Sequence, residues 1–119
     1  MKFAILVNSG PLNYQSAYSA LIFAQSAIKL EHSLFRVFFY LDGVYNANRF
    51  IAALNNENNL VQVWSKLAKD NKVDLVICIT AGLRRGIRGI NLASGFRISG
   101  LGELVEASVY ADRLITFGS

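Results

Sequence analysis

Apolar residues follow two rhythms along this chain. Short continuous runs alternate with longer stretches in which apolar positions recur every three or four residues. The runs are residues 3–7 (FAILV), 34–41 (LFRVFFYL), 73–79 (VDLVICI) and 114–117 (LITF), with a short fifth candidate at Phe96–Ser99. Turn-forming clusters close the first two, Asn8-Ser9-Gly10-Pro11 and Asp42-Gly43. Near-continuous runs, as opposed to strict alternation, predict strands covered on both faces, which is the habit of a parallel sheet.

The stretches between the runs read as helices. In residues 14–30, Ala17, Leu21, Ala24 and Ile28 make one stripe, rich in alanine and able to lie close to a sheet. In Leu60–Asn71, Leu60, Val63, Trp64, Leu67 and Ala68 share a face, with Lys66, Lys69 and Asp70 opposite, so Trp64 is expected in the core. In residues 101–112 the expected stripe is Leu101, Leu104, Val105, Ser108 and Ala111. A shorter helical turn is expected within residues 45–54, before a polar loop at 55–59. Strands and helices in this order predict right-handed βαβ units. The expected fold is a single doubly wound α/β domain over residues 1–119, with a mostly parallel sheet of about five strands flanked by helices. No repeat and no linker divides the chain.

Composition sharpens this outline. A chain of 119 residues is one domain's worth and buries a core without disulfide staples. Cys78 is the lone cysteine, which suits a reducing compartment, so a cytoplasmic location is expected. The start runs directly into a strand without the apolar core of a secretory leader, and no run reaches the ~18 residues of a membrane span. With 53% hydrophobic and 17% charged residues, disorder is excluded. A mean hydropathy of +0.34 is high for a monomer and predicts apolar surface covered by a second layer or another subunit. The net charge of +4 permits acidic partners without requiring nucleic acid.

Sites in open parallel sheets gather beyond the carboxyl ends of the strands. Cys78 sits near the end of the third run, before Thr80-Ala81-Gly82-Leu83-Arg84-Arg85-Gly86, a segment able to start a helical turn. Backbone N–H groups and arginines around a thiol favour a nucleophilic thiolate. The alternative is a small buried hydrophobe between Ile77 and Ile79. Arg84, Arg85 and Arg88, with Arg97 as a further member, form a basic patch suited to anionic sulfur or an acidic partner, or else a solvated loop. No aromatics interleave with these arginines, which argues against a platform for single-stranded nucleic acid. Ser9 and Gly10 read as a turn and helix cap, because no glycine-rich phosphate loop is present. Asp42 reads as a turn residue, with assistance to a thiol as the alternative. His32 is expected on the edge of the sheet opposite Cys78, against a Cys–His pair. No Cys/His cluster suggests a metal site, and no cofactor is required.

Taken together, these segments resemble the DsrE/TusD family of small sulfur-relay proteins, with the TusD branch closest. The matching stretches are FRVFFYLDGVYNANRF (35–50), VDLVICITAGLRRGI (73–87) and FRISGLGELVEASVYADRLITFG (96–118), supported by the first strand and the helix at 15–27. The resemblance implies an α/β fold and matches Cys78 to the family's persulfide-carrying cysteine. It also implies a heterohexamer with two smaller homologous sister subunits, and upstream and downstream sulfur-carrier proteins. Direct tRNA binding by this subunit and a membrane are not required. In TusD-like members the sulfur ends in 2-thiouridine at the tRNA wobble position; in DsrE-like members the architecture serves sulfur oxidation. One departure concerns residues 87–95, a loop that is longer in the family and borders the cysteine.

The first functional reading is a sulfurtransferase subunit in which Cys78 carries the sulfur and Arg84 and Arg85 support it electrostatically. The second is a non-catalytic assembly subunit. The third is a flavodoxin-like nucleotide or flavin module, disfavoured by the missing phosphate loop.

Overall fold

The structure is a computed structural model that describes residues 1–12, 14–51 and 59–118. Its strands β1 (Lys2–Val7), β2 (Ser33–Phe39), β3 (Leu75–Cys78), β4 (Phe96–Ser99) and β5 (Arg113–Phe117) form one sheet in the order β4-β3-β2-β1-β5. Every pairing is parallel. Parallel neighbours cannot be joined by tight turns, so crossovers connect them. These carry α1 (Tyr14–Lys29), α2 (Leu60–Asn71), α3 (Ile79–Arg84) and α4 (Gly102–Tyr110), with short 3-10 segments at Leu41–Ala47 and Gly89–Asn91. The α/β class and the parallel sheet expected from the continuous apolar runs are what the molecule adopts.

Helices cover both faces of the sheet. Phe3 of β1 meets Phe23 of α1 edge-on at 5.2 Å, and Phe39 of β2 meets Trp64 of α2 in the same way at 5.2 Å. Arg36 lies three residues from Phe39, hence on the other face, and bonds to α4. Thus α1 and α2 share one side and α4 takes the other, as doubly wound connectivity requires. Ala17, Ala20 and Ala24 are fully buried, which lets α1 lie close to β1 and β2, and Trp64 is in the core as expected.

Several elements depart from the sequence expectation. The second strand stops at Phe39, and Leu41 opens a 3-10 segment instead of closing the strand. Gly43 explains the turn: a Cβ there would sit 1.9 Å from the Val7 carbonyl oxygen, so only glycine lets this segment cross the end of β1. The helical turn expected within 45–54 is that 3-10 segment, shifted earlier; residues 52–58 lie outside the described residues. Asn59, at the end of the expected polar loop, caps α2 by accepting from the Gln62 N–H. Ile79 belongs to α3 and not to the third strand.

The largest difference concerns α4. Of its expected apolar stripe, Leu101 is 47% and Val105 61% exposed and only Leu104 packs on the core; the buried residue is Ala107, outside that stripe, and Val109 is exposed as well. Charge holds this helix to the sheet. The nearly buried Arg36 guanidinium donates to the Asp74 carboxylate at 2.7 Å, the Glu106 carboxylate at 2.8 Å and the Glu103 carbonyl at 2.9 Å. Arg97 donates to both Asp74 oxygens at 2.7 and 2.9 Å and to the Glu103 carboxylate. Arg97 therefore does not join the basic patch beside Cys78, as the sequence suggested; its fork is occupied beneath α4. Burial opposes ionisation of Asp74, but the hydrogen bonds and charges of Arg97 and Arg36 outweigh it and hold the carboxyl below its ordinary range. Burial likewise opposes the charge on Arg36, and the bonds to Asp74 and Glu106 raise its pKa on balance.

Candidate functional site

Cys78 is the last residue of β3 and the residue that caps α3, yet its side chain makes no capping hydrogen bond. It shares the period-two face of Asp74 and Val76, the face on which α4 packs. A cleft of about 470 Å³ opens over it at the carboxyl end of the sheet. Tyr40 and Leu41 form one wall, Thr80, Ala81, Arg84 and Arg85 another, and Leu101 stands before α4. Cys78 lines this cleft with only 1% of its surface exposed. Leu41 holds a positive φ of 50°, a left-handed backbone that costs a leucine about 1 kcal/mol and swings the chain from β2 toward the cleft.

The arginines of the patch separate by role. Arg85 donates from Nε to the Asp42 carboxylate at 2.8 Å and from Nη1 to the Ala81 carbonyl at 3.2 Å. It ties the Leu41–Ala47 segment to α3 and closes the cleft wall, and Asp42 offsets its charge. Arg84 lines the same cleft and has no carboxylate partner among the described residues. Arg88 is exposed and lies beyond the cleft, its N–H bonded to the Asn91 side chain at 2.7 Å.

Other sequence candidates fall elsewhere. Ser9 is buried at the turn after β1, and its carbonyl accepts from the buried Asn46 amide at 3.0 Å. Asn46, fully buried, also bonds the Gly43 carbonyl at 2.9 Å and pins the 3-10 segment. His32 sits at the amino end of β2, against Phe3 and the Met1 amino group. Because β2 and β3 are neighbours, His32 is separated from Cys78 by the length of the sheet and not, as expected, by its width. No group of three or more potential metal ligands occurs among the described residues. Tyr40, Leu41 and Leu101 were missed as site residues, because the sequence placed them in a strand and a helix stripe.

The family model of the DsrE/DsrF-like family matches residues 1–117. The chain belongs to the DsrE/DsrF-like family. This family member is 43% identical to the DsrE protein of Allochromatium vinosum, over 99% of both chains. It is 42% identical to Sulfurtransferase TusD of Cronobacter sakazakii, over 98% of this chain and all of the relative. The first of these alignments runs over 129 residues although this chain has 119, so the relative carries extra residues. The crystal structure of the ychN protein from E. coli superposes with a TM-score of 0.87 at 27% identity, over 98% of this chain and 99% of that one. A protein of unknown function from Methanobacterium thermoautotrophicum shares the fold, with a TM-score of 0.69 at 18% identity over 97% of each chain.

Proposed function

We propose that this protein is a sulfur-relay sulfurtransferase that carries sulfur as a persulfide on Cys78. The observation that carries the reading is the position of the one thiol: at a strand end, in a cleft beside an arginine with no carboxylate partner among the described residues, in a chain over 40% identical to sulfurtransferases named TusD. In the first step the Cys78 thiolate attacks the outer sulfur of a donor persulfide. The donor S–S bond breaks, the donor leaves as a thiolate with the electron pair, and Cys78 bears the new persulfide. In the second step an acceptor thiolate attacks that outer sulfur and Cys78 leaves as a thiolate. The two steps balance without a redox agent, metal or organic cofactor. Arg84 supplies positive charge to the anionic sulfur, and Arg85 shapes the wall.

The upstream and downstream partners in this reading are sulfur-carrier proteins, and the end product is 2-thiouridine at the tRNA wobble position. DsrE-like service in sulfur oxidation is the alternative pathway. The outward apolar face of α4 supports assembly with two smaller homologous subunits into a heterohexamer, and the setting is cytoplasmic. No helix among the described residues is long and apolar enough to cross a membrane. One observation favours the second reading, a non-catalytic assembly subunit: the thiol is almost wholly covered.

The test is intact-protein mass spectrometry after incubation with a persulfide donor. Wild type is expected to gain one sulfur and Cys78→Ser none. Equal gain by both, or gain by neither, removes Cys78 as carrier. Relay activity that survives Cys78→Ala would establish the assembly role. The 2-thiouridine content of tRNA in cells carrying only Cys78→Ser then separates tRNA thiolation from sulfur oxidation.

A further inference from the structure

A second basic surface, not used by the transfer steps, lies just beyond Leu41–Ala47 and α3, the two segments whose residues wall the cleft. Arg49 stacks its guanidinium 4.5 Å from the ring centroid of Phe50 and donates from Nε to the Ile90 carbonyl at 2.9 Å. These two anchors fix its plane, and no hydrogen bond among the described residues uses its Nη groups. Arg88 is held by its own backbone: its N–H bonds Asn91 Oδ1 at 2.7 Å, and the Asn91 amide bonds the Gly86 carbonyl at 3.0 Å. The short loop at 87–95 is thus pinned, with Ile87, Asn91 and Ala93 buried and the Ala93 N–H bonded to the Ala47 carbonyl. Phe50 and Ile90, both in contact with Arg49, nevertheless stand 60% and 73% exposed. Among the described residues, neither arginine has a carboxylate partner.

We propose that this surface, formed by Arg49, Phe50, Arg88 and Ile90, docks an acidic, apolar-bearing segment of the protein that exchanges sulfur with Cys78. The inference rests on the sulfur-transfer reading above. Charge complementarity carries it. Asp74, Glu103 and Glu106 are engaged beneath α4, where they face Arg36 and Arg97. At the cleft end Asp42 is the one carboxylate among the described residues, and Arg85 holds it. A guanidinium fork held in place, as that of Arg49 is, binds a carboxylate with less loss of freedom than a mobile lysine. Arginines with apolar neighbours make up the anchor points of protein interfaces. A charged, modest surface suits a partner that arrives by electrostatic steering, delivers and leaves. The outward face of α4, apolar by contrast, suits a lasting subunit contact.

The experiment uses synthetic peptides of equal length, each bearing one cysteine persulfide. One carries glutamates and leucines, one lysines and leucines, and one serines and glycines. The rate at which sulfur appears on Cys78 of the full chain is followed by mass spectrometry, with cysteine persulfide as a small donor. The acidic peptide is expected to be at least about tenfold faster than the lysine peptide, with the advantage shrinking as salt rises. The double variant Arg49→Glu/Arg88→Glu should reverse that preference while its rate with cysteine persulfide stays at the wild-type level. A second variant, Phe50→Ser/Ile90→Ser, should slow the acidic peptide severalfold without reversing the order. An acidic preference that survives the charge reversal, or no preference in wild type, overturns the proposal. So does an oligouridylate that displaces the acidic peptide and loses its hold in the double variant, which would assign the surface to RNA. If wild type takes no sulfur even from cysteine persulfide, the transfer reading itself fails and the docking site falls with it.

Discussion

Two groups of arginines divide this molecule. Beneath α4, Arg36 and Arg97 have their donors met by Asp74, Glu103 and Glu106. At the cleft Arg84, and beyond it Arg88, have no carboxylate partner among the described residues, and Arg85 has one, on an exposed side chain. The first group substitutes for a missing apolar stripe and fixes a helix. In the second, Arg84 leaves positive charge in the cleft of the thiol, while Arg85 ties two wall segments together. The same residue type is neutralised beneath α4 and left with free charge at Arg84, and the difference lies in which carboxylates the fold brings within 3 Å.

The greatest expected effect breaks the first group. Arg36→Met strips Glu106 of its partner, leaves Asp74 and Glu103 to Arg97 alone, and should cost about 3 kcal/mol of stability, a fall in Tm of roughly 10 °C. Sulfur uptake by the variant well below its midpoint should match wild type. A Tm within a few degrees of wild type would mean that α4 is held by something else. Next comes Asp74→Asn, with about 2 kcal/mol lost at neutral pH. Because the folded carboxyl titrates below its ordinary value of 3.8, its contribution is complete above that value and disappears as pH falls through the lower folded value. Urea midpoints of wild type and Asp74→Asn should therefore converge as the solution is acidified through that range. A constant gap would contradict the linkage.

Smaller effects sharpen the second group. Arg84→Ala should leave stability within about 0.5 kcal/mol and slow sulfur uptake roughly fivefold, equivalent to about 1 kcal/mol. A stability loss as large as that of Arg36→Met would erase the distinction between the two groups. Smallest is Asp42→Asn, which releases Arg85 from an exposed pair at a cost under about 0.5 kcal/mol. Uptake should hold or rise slightly; a fall as deep as that of Arg84→Ala would show that the Asp42–Arg85 pair acts on the sulfur.

Much of this was legible in the sequence. The runs at 3–7 and 34–41, and the stripe of Leu60, Trp64 and Leu67, report local period and burial, and those periods are set by backbone geometry alone. Cys78 at a strand end followed from the same reading. What failed was the assignment of partners. Arg97 stands in sequence among residues that approach the cleft, yet alternation along β4 turns it toward Asp74. Val105 has helical spacing and still faces outward, because spacing names a face of α4 without saying which face meets the sheet.

The sequence by itself determined the class of fold and the parallel sheet, because both rest on residue type and local period, and its resemblance to the family singled out Cys78 as the candidate sulfur carrier. Only the tertiary structure decided which arginines are neutralised, which wall covers Cys78 and which apolar side chains remain outside. Those depend on contacts between residues tens of positions apart, such as Arg36 with Asp74 and Arg49 with Ile90, and no local rule specifies them.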